Sequence, residues 1–353
     1  ISLEGKLDLL KNKNTAQKVS TRGTIDLENI NLLYGDARTP LRQLRGNLQF
    51  NNNDLALSNL SATLGNSDFV VNGLFKNIVT FLFFDDQPVG VEADLKSAYV
   101  DVDQLLALGF GAVTHNASQQ YTFAISNHIN LNFNCDIAAL RYRRFYARNL
   151  KGDVLVKNKV AVSRNINLQT MGGALVFSGI VDAKNNKAID VISSIKMNAI
   201  HIDSIFYVFE NFNQNFIEHK HLKGRATADV NLDFTLDQNL KLFPETLIAD
   251  ISLSIINGQL NNFEPMQKLN KYLDDEGLNN LRFSDLKNEI HVEKKTIYIP
   301  QMQVRSNVTD FKISGTHTFD QHIDYHLITP LNQRKRTALK DEHVAMEEDG
   351  SGQ

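Results

Sequence analysis

The chain has 353 residues, 42% of them hydrophobic and 22% charged, a balance that suits a folded protein and excludes a disordered one. A net charge of −3 and a pI near 6.4 lack the basic excess of a nucleic-acid binder. The single cysteine, Cys135, excludes an intramolecular disulfide and a cysteine-rich zinc site, and no apolar run approaches the ~18 residues of a membrane-spanning helix. The length is two to three times a usual domain of roughly 100–200 residues, which allows one large core or a structure built from repeats. The chain opens at Ile1 on a mid-domain pattern, without an initiator methionine or a signal-peptide plan, and reads as a fragment whose terminus and any anchor lie outside it.

In chain order, the first clear element is a strand in which Leu44, Leu48 and Phe50 alternate with Arg45, Asn47 and Gln49. A dense apolar cluster follows at 78–84. A short helix is expected after Asp103, carried by Leu105, Leu106 and Leu108, with the aspartate as N-cap. The longest alternation covers 121–137: Tyr121, Phe123, Ile125, Ile129, Leu131, Phe133, Cys135 and Ile137 take one parity, and mostly Asn, Ser, Thr, His and Asp take the other. This predicts a strand with one apolar face, broken or bulged at Asn127. A second short helix is expected after Asp203, with Ile205, Phe206 and Phe209 on its apolar side. The alternation returns at Ala228, Val230, Leu232, Phe234 and Leu236, with Asp229, Asn231, Asp233 and Thr235 between them. The best helical periodicity lies at 263–276, where Phe263, Met266, Leu269, Tyr272 and Leu273 recur every three or four residues and Gly277 supplies a stop. From 332 to 353 the pattern is lost, and this polar tail is expected to be loop or disordered.

These elements predict a mainly β fold: an elongated, curled antiparallel sheet over 1–331 with a few short helices. Three short helices cannot cover so much apolar sheet, so a second sheet, the same sheet curled over itself, or a ligand must do so.

The chain also repeats itself. Leu44-Arg45-Gly46, Leu150-Lys151-Gly152 and Leu286-Lys287-Asn288 open similar segments, and each segment ends on a glycine, Gly73, Gly179 or Gly315, 27 residues after Gly46, Gly152 or Asn288. The repeat cores are 41–75, 150–181 and 286–317. A second block recurs at an offset of 100 residues, matching Lys96, Val100, Val102, Asp103 and Leu105 to Lys196, Ile200, Ile202, Asp203 and Ile205. The spacing predicts a multi-stranded unit whose glycines occupy equivalent bends or bulges, with units stacked so that their apolar faces join.

Candidate chemical motifs reduce to bland readings. His219-Lys220-His221 has no Cys or acidic ligand at zinc-like spacing, and His317, His322 and His326 lack the helical pattern of a metalloprotease. Gly109-Phe110-Gly111 is too short for a dinucleotide loop. Asp85-Asp86 and Asp274-Asp275-Glu276 read as exposed turns, and Cys135 sits on the apolar parity of its strand, as a buried thiol would. Neither an enzyme activity nor a cofactor is expected.

The segment 251–331 carries a resemblance. It runs from a strand ending in Asn257-Gly258-Gln259-Leu260 through a helix with Pro265 and Leu269 to Leu281-Arg282-Phe283-Ser284-Asp285-Leu286. It continues through Ile297-Tyr298-Ile299 and Val304-Arg305-Ser306 and closes on Phe311-Lys312-Ile313-Ser314-Gly315. This order resembles the C-terminal region of AsmA-like proteins, relatives of the TamB family, in Gram-negative bacteria, and the Asn-rich composition is similar to Bacteroidota members. The resemblance implies a periplasmic protein, anchored in the inner membrane through a segment not present in this chain. It implies that a repeating β-groove carries phospholipid acyl chains between inner and outer membranes, with no catalytic motif. From periodicity alone the apolar stripe reads first as the core of a β-sandwich; the scarcity of helices, the long 121–137 strand and the resemblance turn it into a groove. Its expected lining is Tyr121, Phe123, Ile125, Ile129, Leu131, Phe133, Val230, Leu232 and Phe234. The alternative is a periplasmic scaffold for outer-membrane protein assembly, which would add a client strand at an exposed sheet edge.

Overall fold

A computed structural model describes residues 2–4, 20–34, 38–84, 86–107, 123–213, 215–268 and 276–330. The protein is mainly β, with a few short helices. It divides into two compact units. Unit 1 holds the described residues of Ile1–Thr170, Val176–Ser193 and Phe234–Phe243; unit 2 holds those of Met171–Leu175, Ser194–Asp233 and Pro244–Gln353. The polar tail expected at 332–353 lies outside the described residues.

In unit 1, β1 (Ser2–Glu4), β2 (Ser20–Tyr34), β3 (Thr39–Asn51), β4 (Asp54–Leu64), β5 (Ser67–Lys76) and β6 (Val89–Ser97) pair in succession as antiparallel neighbours. The ladder continues through β8 (Ile129–Tyr142), β9 (Phe145–Lys157) and β10 (Val160–Thr170), with the short β7 (Val100–Asp101) beside β8. β11 (Gly173–Asp182), β12 (Ile189–His201) and β13 (Leu222–Leu236) each contribute residues to both units. In unit 2, β13, β14 (Ile248–Asn261), β15 (Asn280–Glu293), β16 (Thr296–Val304), β17 (Phe311–Thr318) and β18 (Ile323–Ile328) form consecutive antiparallel pairs.

One pairing departs from the antiparallel expectation: β6 and β7 run parallel to β8. A parallel neighbour needs a crossover of a dozen or more residues, and the connection here, 98–128, is long enough to bring the chain back in the same direction.

The repeat read from spacing has a structural counterpart in each copy. A two-residue hairpin turn falls at Asn52-Asn53, at Asn158-Lys159 and at Lys294-Lys295, flanked by the pairs Asn51 with Asp54, Lys157 with Val160 and Glu293 with Thr296. These turns use left-handed backbone, with φ of 55° at Asn52, 52° and 63° at Asn158 and Lys159, and 50° and 59° at Lys294 and Lys295. Turns of that hand match the twist of the strands they join. In the following strand two consecutive residues face water in every copy, Ser58-Asn59, Arg164-Asn165 and Pro300-Gln301, and the strand register slips there. Such a bulge restores the inward parity of the residue after it, which meets the copy's opening position: Leu60 against Gly46, Ile166 against Gly152, Met302 against Asn288.

The closing glycines share an environment as well. A Cβ on Gly73 would sit 2.6 Å from the Glu92 carbonyl oxygen and 2.8 Å from the Ala93 Cβ; one on Gly179 would sit 3.0 Å from the Ile192 oxygen and 3.2 Å from the Ser193 Cβ. On Gly315 it would strike the Asp324 carbonyl oxygen and lie 2.8 Å from the Tyr325 Cα. In each copy the next strand comes too close for a side chain. The second block recurs too: β6 and β12 begin at Val89 and Ile189, and the helices α1 (Val102–Ala107) and α2 (Ile202–Val208) at Val102 and Ile202.

The helices differ from expectation in three ways. The N-cap of α2 is His201, and Asp203 lies in its first turn; Asp103 likewise lies inside the first turn of α1, where Asp101 Oδ1 instead accepts the Gln104 amide at 3.2 Å. Both helices begin earlier than the apolar spacing indicates because they continue directly from a strand. The helix expected at 263–276 is described only as α3 (Glu264–Gln267), with a 3₁₀ turn at Glu276–Asn279; residues 269–275 lie outside the described residues. The cluster at 78–84 contains an unexpected short helix, Ile78–Phe83, which follows a left-handed Asn77. The hairpin residue Asn53 seats it: Asn53 Oδ1 accepts the Thr80 amide at 2.8 Å and its Nδ2 donates to Thr80 Oγ1 at 2.9 Å.

The glycine contacts set a test. Gly73→Ala is expected to lower the stability of its unit by about 1–3 kcal/mol through overpacking, and Gly315→Ala by at least as much because φ there is 151°. Gly90→Ala, whose Cβ would have the Lys76 Cβ as its nearest neighbour at 3.4 Å, should cost less than either in urea unfolding of the full chain.

Candidate functional site

The parallel pairing of β6 with β8 builds the candidate site, because it continues an apolar row across unit 1. Cross-strand partners run Gly23, Phe50, Leu55, Phe75, Val91, Leu131, Val156 and Ala161 from β2 to β10. A neighbouring row runs Ile25, Leu48, Leu57, Gly73, Ala93, Phe133 and Val154. Leu57 and Ala93 are buried, whereas Phe50, Leu55, Phe75, Leu131 and Phe133 are only half-buried. A close-packed core leaves its large apolar side chains little exposure, so this face carries more apolar surface than its surroundings cover.

The opposite parity is largely polar, though Leu74 and Leu155 fall on it, and it pairs several of its charges locally. Asn134 Nδ2 donates to Asp94 at 2.9 Å, Asn47 Nδ2 to Asp26 at 2.6 Å, and Lys76 and Lys151 pair with Glu92 and Asp136 at 2.7 and 3.1 Å. Exposed pairs of this kind contribute little stability, but they keep the outer face wet and in register.

The expected lining residues fall into separate groups. Ile129, Leu131 and Phe133 lie half-buried on β8, alternating with the exposed Asn130, Asn132 and Asn134. Phe123 and Ile125 are not part of that strand. Ser126 Oγ accepts the His128 amide at 3.1 Å, a local bond that turns the chain at 127–128 before the ladder begins. Phe123 donates its amide to the Gln238 carbonyl at 2.7 Å, and Phe123, Ile125, Phe234 and Leu236 surround the buried Ala183, Ile189 and Val191. The expected lining positions Phe123, Ile125 and Phe234 thus belong to a small hydrophobic cluster, a contact between distant sequence segments that alternation alone does not report. Val230, buried, and Leu232, half-buried, belong to unit 2 on β13, and Tyr121 lies outside the described residues.

Unit 2 has its own core of Leu278, Leu281, Leu286, Val304 and Phe311, with Ile255, Leu260, Phe283 and Met302 partly buried against it. At one end Phe216 makes edge contacts with Phe263 at 5.1 Å and His317 at 5.7 Å. Burial holds the imidazoles of His221 and His317 below the ordinary histidine value, helped at His221 by Lys220. His221 Nδ1 accepts the Glu218 amide at 3.1 Å, the neutral ring's role. Cys135 faces inward, half-buried, and burial pushes its thiol up. Among the described residues no group of three or more His, Cys, Asp or Glu side chains could hold a metal ion, and no helix is long and apolar enough to cross a membrane. Comparison with protein-family models, curated proteins and solved structures finds no match to the chain.

Two outcomes follow from this geometry. With Cys135 replaced by serine, a water-soluble relaxation agent should reach spin labels at 132 and 134 several-fold more readily than labels at 131 and 133; equal accessibility would contradict the parity of β8. Because the unfolded chain takes up protons that the folded His221 and His317 resist, the stability of unit 2 should be full above about pH 7 and fall as the pH drops below about 6.5. His317→Leu should flatten that fall in urea titrations followed by NMR signals of the unit.

Proposed function

We propose that the chain is part of a lipid conduit, with the apolar face of its sheet holding phospholipid acyl chains while headgroups stay at the wet margin. The observation that carries this reading is the half-buried row of Phe50, Leu55, Phe75, Val91 and Leu131, continuous across strands β3 to β8, with the half-buried Phe133 in the row beside it. Each methylene transferred from water to such a surface contributes about 0.8 kcal/mol, so ten contribute about 8 kcal/mol before entropy costs. No charged pocket is required. A row uniform in its chemistry lets a chain slide with little change in buried area, which keeps barriers low and leaves direction to be set elsewhere.

The resemblance of 251–331 to AsmA-like proteins supports a periplasmic setting in a Gram-negative bacterium for this conduit, with an inner-membrane anchor and a role in outer-membrane biogenesis as parts of the same proposal. The rival reading, a scaffold for outer-membrane assembly proteins, has its own support: β18 ends the run of consecutive antiparallel pairs within unit 2, and its Ile328 is 43% exposed.

Phe133→Asp separates the possibilities. In a half-open face the carboxylate reaches water, so the variant should keep its β-sheet circular dichroism and melt within a few degrees of the parent while losing co-purifying phospholipid in native mass spectrometry. Loss of folding would favour a closed core. A folded variant with normal lipid would contradict the conduit at β8, and sensitivity to His326→Pro with tolerance of Phe133→Asp would favour strand addition.

A further inference from the structure

The segments around Arg282 and Arg305 carry a feature that acyl-chain binding does not use. Residues of β15 alternate here, so Phe283 turns inward to the unit 2 core while Arg282 and Ser284 face outward and are exposed. Phe283 forms an antiparallel bridge to Ser306, which sets Arg305 beside Ser284 and Asn307 beside Arg282 on the same outward face. On the other side, Gln259 of β14 is the register partner of Arg282.

The result is a concavity of about 440 Å³ whose polar lining consists of Asn257, Gln259, Arg282, Ser284, Arg305, Ser306 and Asn307. No carboxylate lines it, and among the described residues neither guanidinium has an ion-pair partner. Elsewhere on the outward face of unit 2 some charges are met locally, as where Lys196 meets Asp229, His291 meets Asp250 and Ser252 donates to Glu289; here two guanidiniums share one concavity with no carboxylate in its lining. Asp285, next along β15, lines no part of the concavity.

The backbone around the two arginines is fixed in advance. Asn307 Oδ1 accepts the Arg282 amide at 2.7 Å and the Asn307 amide donates to the Arg282 carbonyl at 3.0 Å. Ser306 donates its hydroxyl to the Thr309 carbonyl at 2.6 Å and accepts the amides of Val308 and Thr309 at 3.2 and 3.1 Å. Two guanidiniums on one face, with the Ser284 hydroxyl and the Gln259 amide beside them in the lining, match a tetrahedral oxyanion, because each guanidinium can present two parallel N–H donors to a phosphate.

We infer that this concavity is a binding site for a phosphate-bearing anion, either a lipid headgroup or a free phosphate. The site is independent of the apolar row, so it can stand or fall without the conduit. The full chain should bind inorganic phosphate in calorimetric titration, or float with vesicles of phosphatidylglycerol but not with vesicles of phosphatidylcholine. Binding in the vesicle experiment alone assigns the site to a lipid headgroup; binding of inorganic phosphate assigns it to free phosphate chemistry. In either case Arg282→Gln with Arg305→Gln should weaken binding at least tenfold, Arg282→Lys with Arg305→Lys by a smaller factor, and Lys287→Gln by less than twofold. Unchanged binding in the double glutamine variant, or no binding to either probe by the parent chain, overturns the proposal. Retention of co-purified lipid by the glutamine variant separates this result from any failure of the conduit.

Discussion

The two-residue period of the strands is the constraint on which the rest depends. A slip of one residue would carry Leu131 and Phe133 to the wet face and Asn132 and Asn134 to the apolar one, so register has to be set at many places. The hairpins at Asn52-Asn53, Asn158-Lys159 and Lys294-Lys295 fix it at one end of each repeat, and the paired outward residues of each bulge reset it in the middle. The closing glycines then let the next strand approach, which is why Gly73, Gly179 and Gly315 meet equivalent neighbours.

From that register follow two faces with different chemistry. The outer one carries short cross-strand pairs such as Asn134 with Asp94, which hold no large energy but keep charge from accumulating. The inner one carries a row of large apolar side chains at intermediate exposure, and the parallel entry of β8 beside β6 makes that row continuous. The proposed conduit uses the inner face of unit 1, and the proposed phosphate site lies on the outward face of β15 in unit 2.

Much of this was legible in the sequence because period two and constant spacing are local signals. The strand around Leu131, the strand around Val230 and the 27-residue interval each needed only the identity of neighbours along the chain. What escaped depended on contacts between distant segments. Ser126 capping the His128 amide ends the alternation at Asn127, and Phe123 and Ile125 then join Ile189 and Phe234, partners no spacing announces. The helix at Ile78 shows in the sequence only as an apolar cluster because its seat is an asparagine in the β3–β4 hairpin turn. The arginine pair became visible only when the bridge between Phe283 and Ser306 set two separate motifs on one face.

The central claim, that the inner row contacts lipid and the outer parity does not, is tested most directly by site-specific photo-crosslinking. A photoreactive amino acid would replace Leu131 or Asn132 in the full chain, with isotopically labelled phospholipid supplied and adducts read by mass. Adducts at 131 and none at 132 are the expected result. Equal yields at both positions, or none at 131 in a folded protein, would contradict the account.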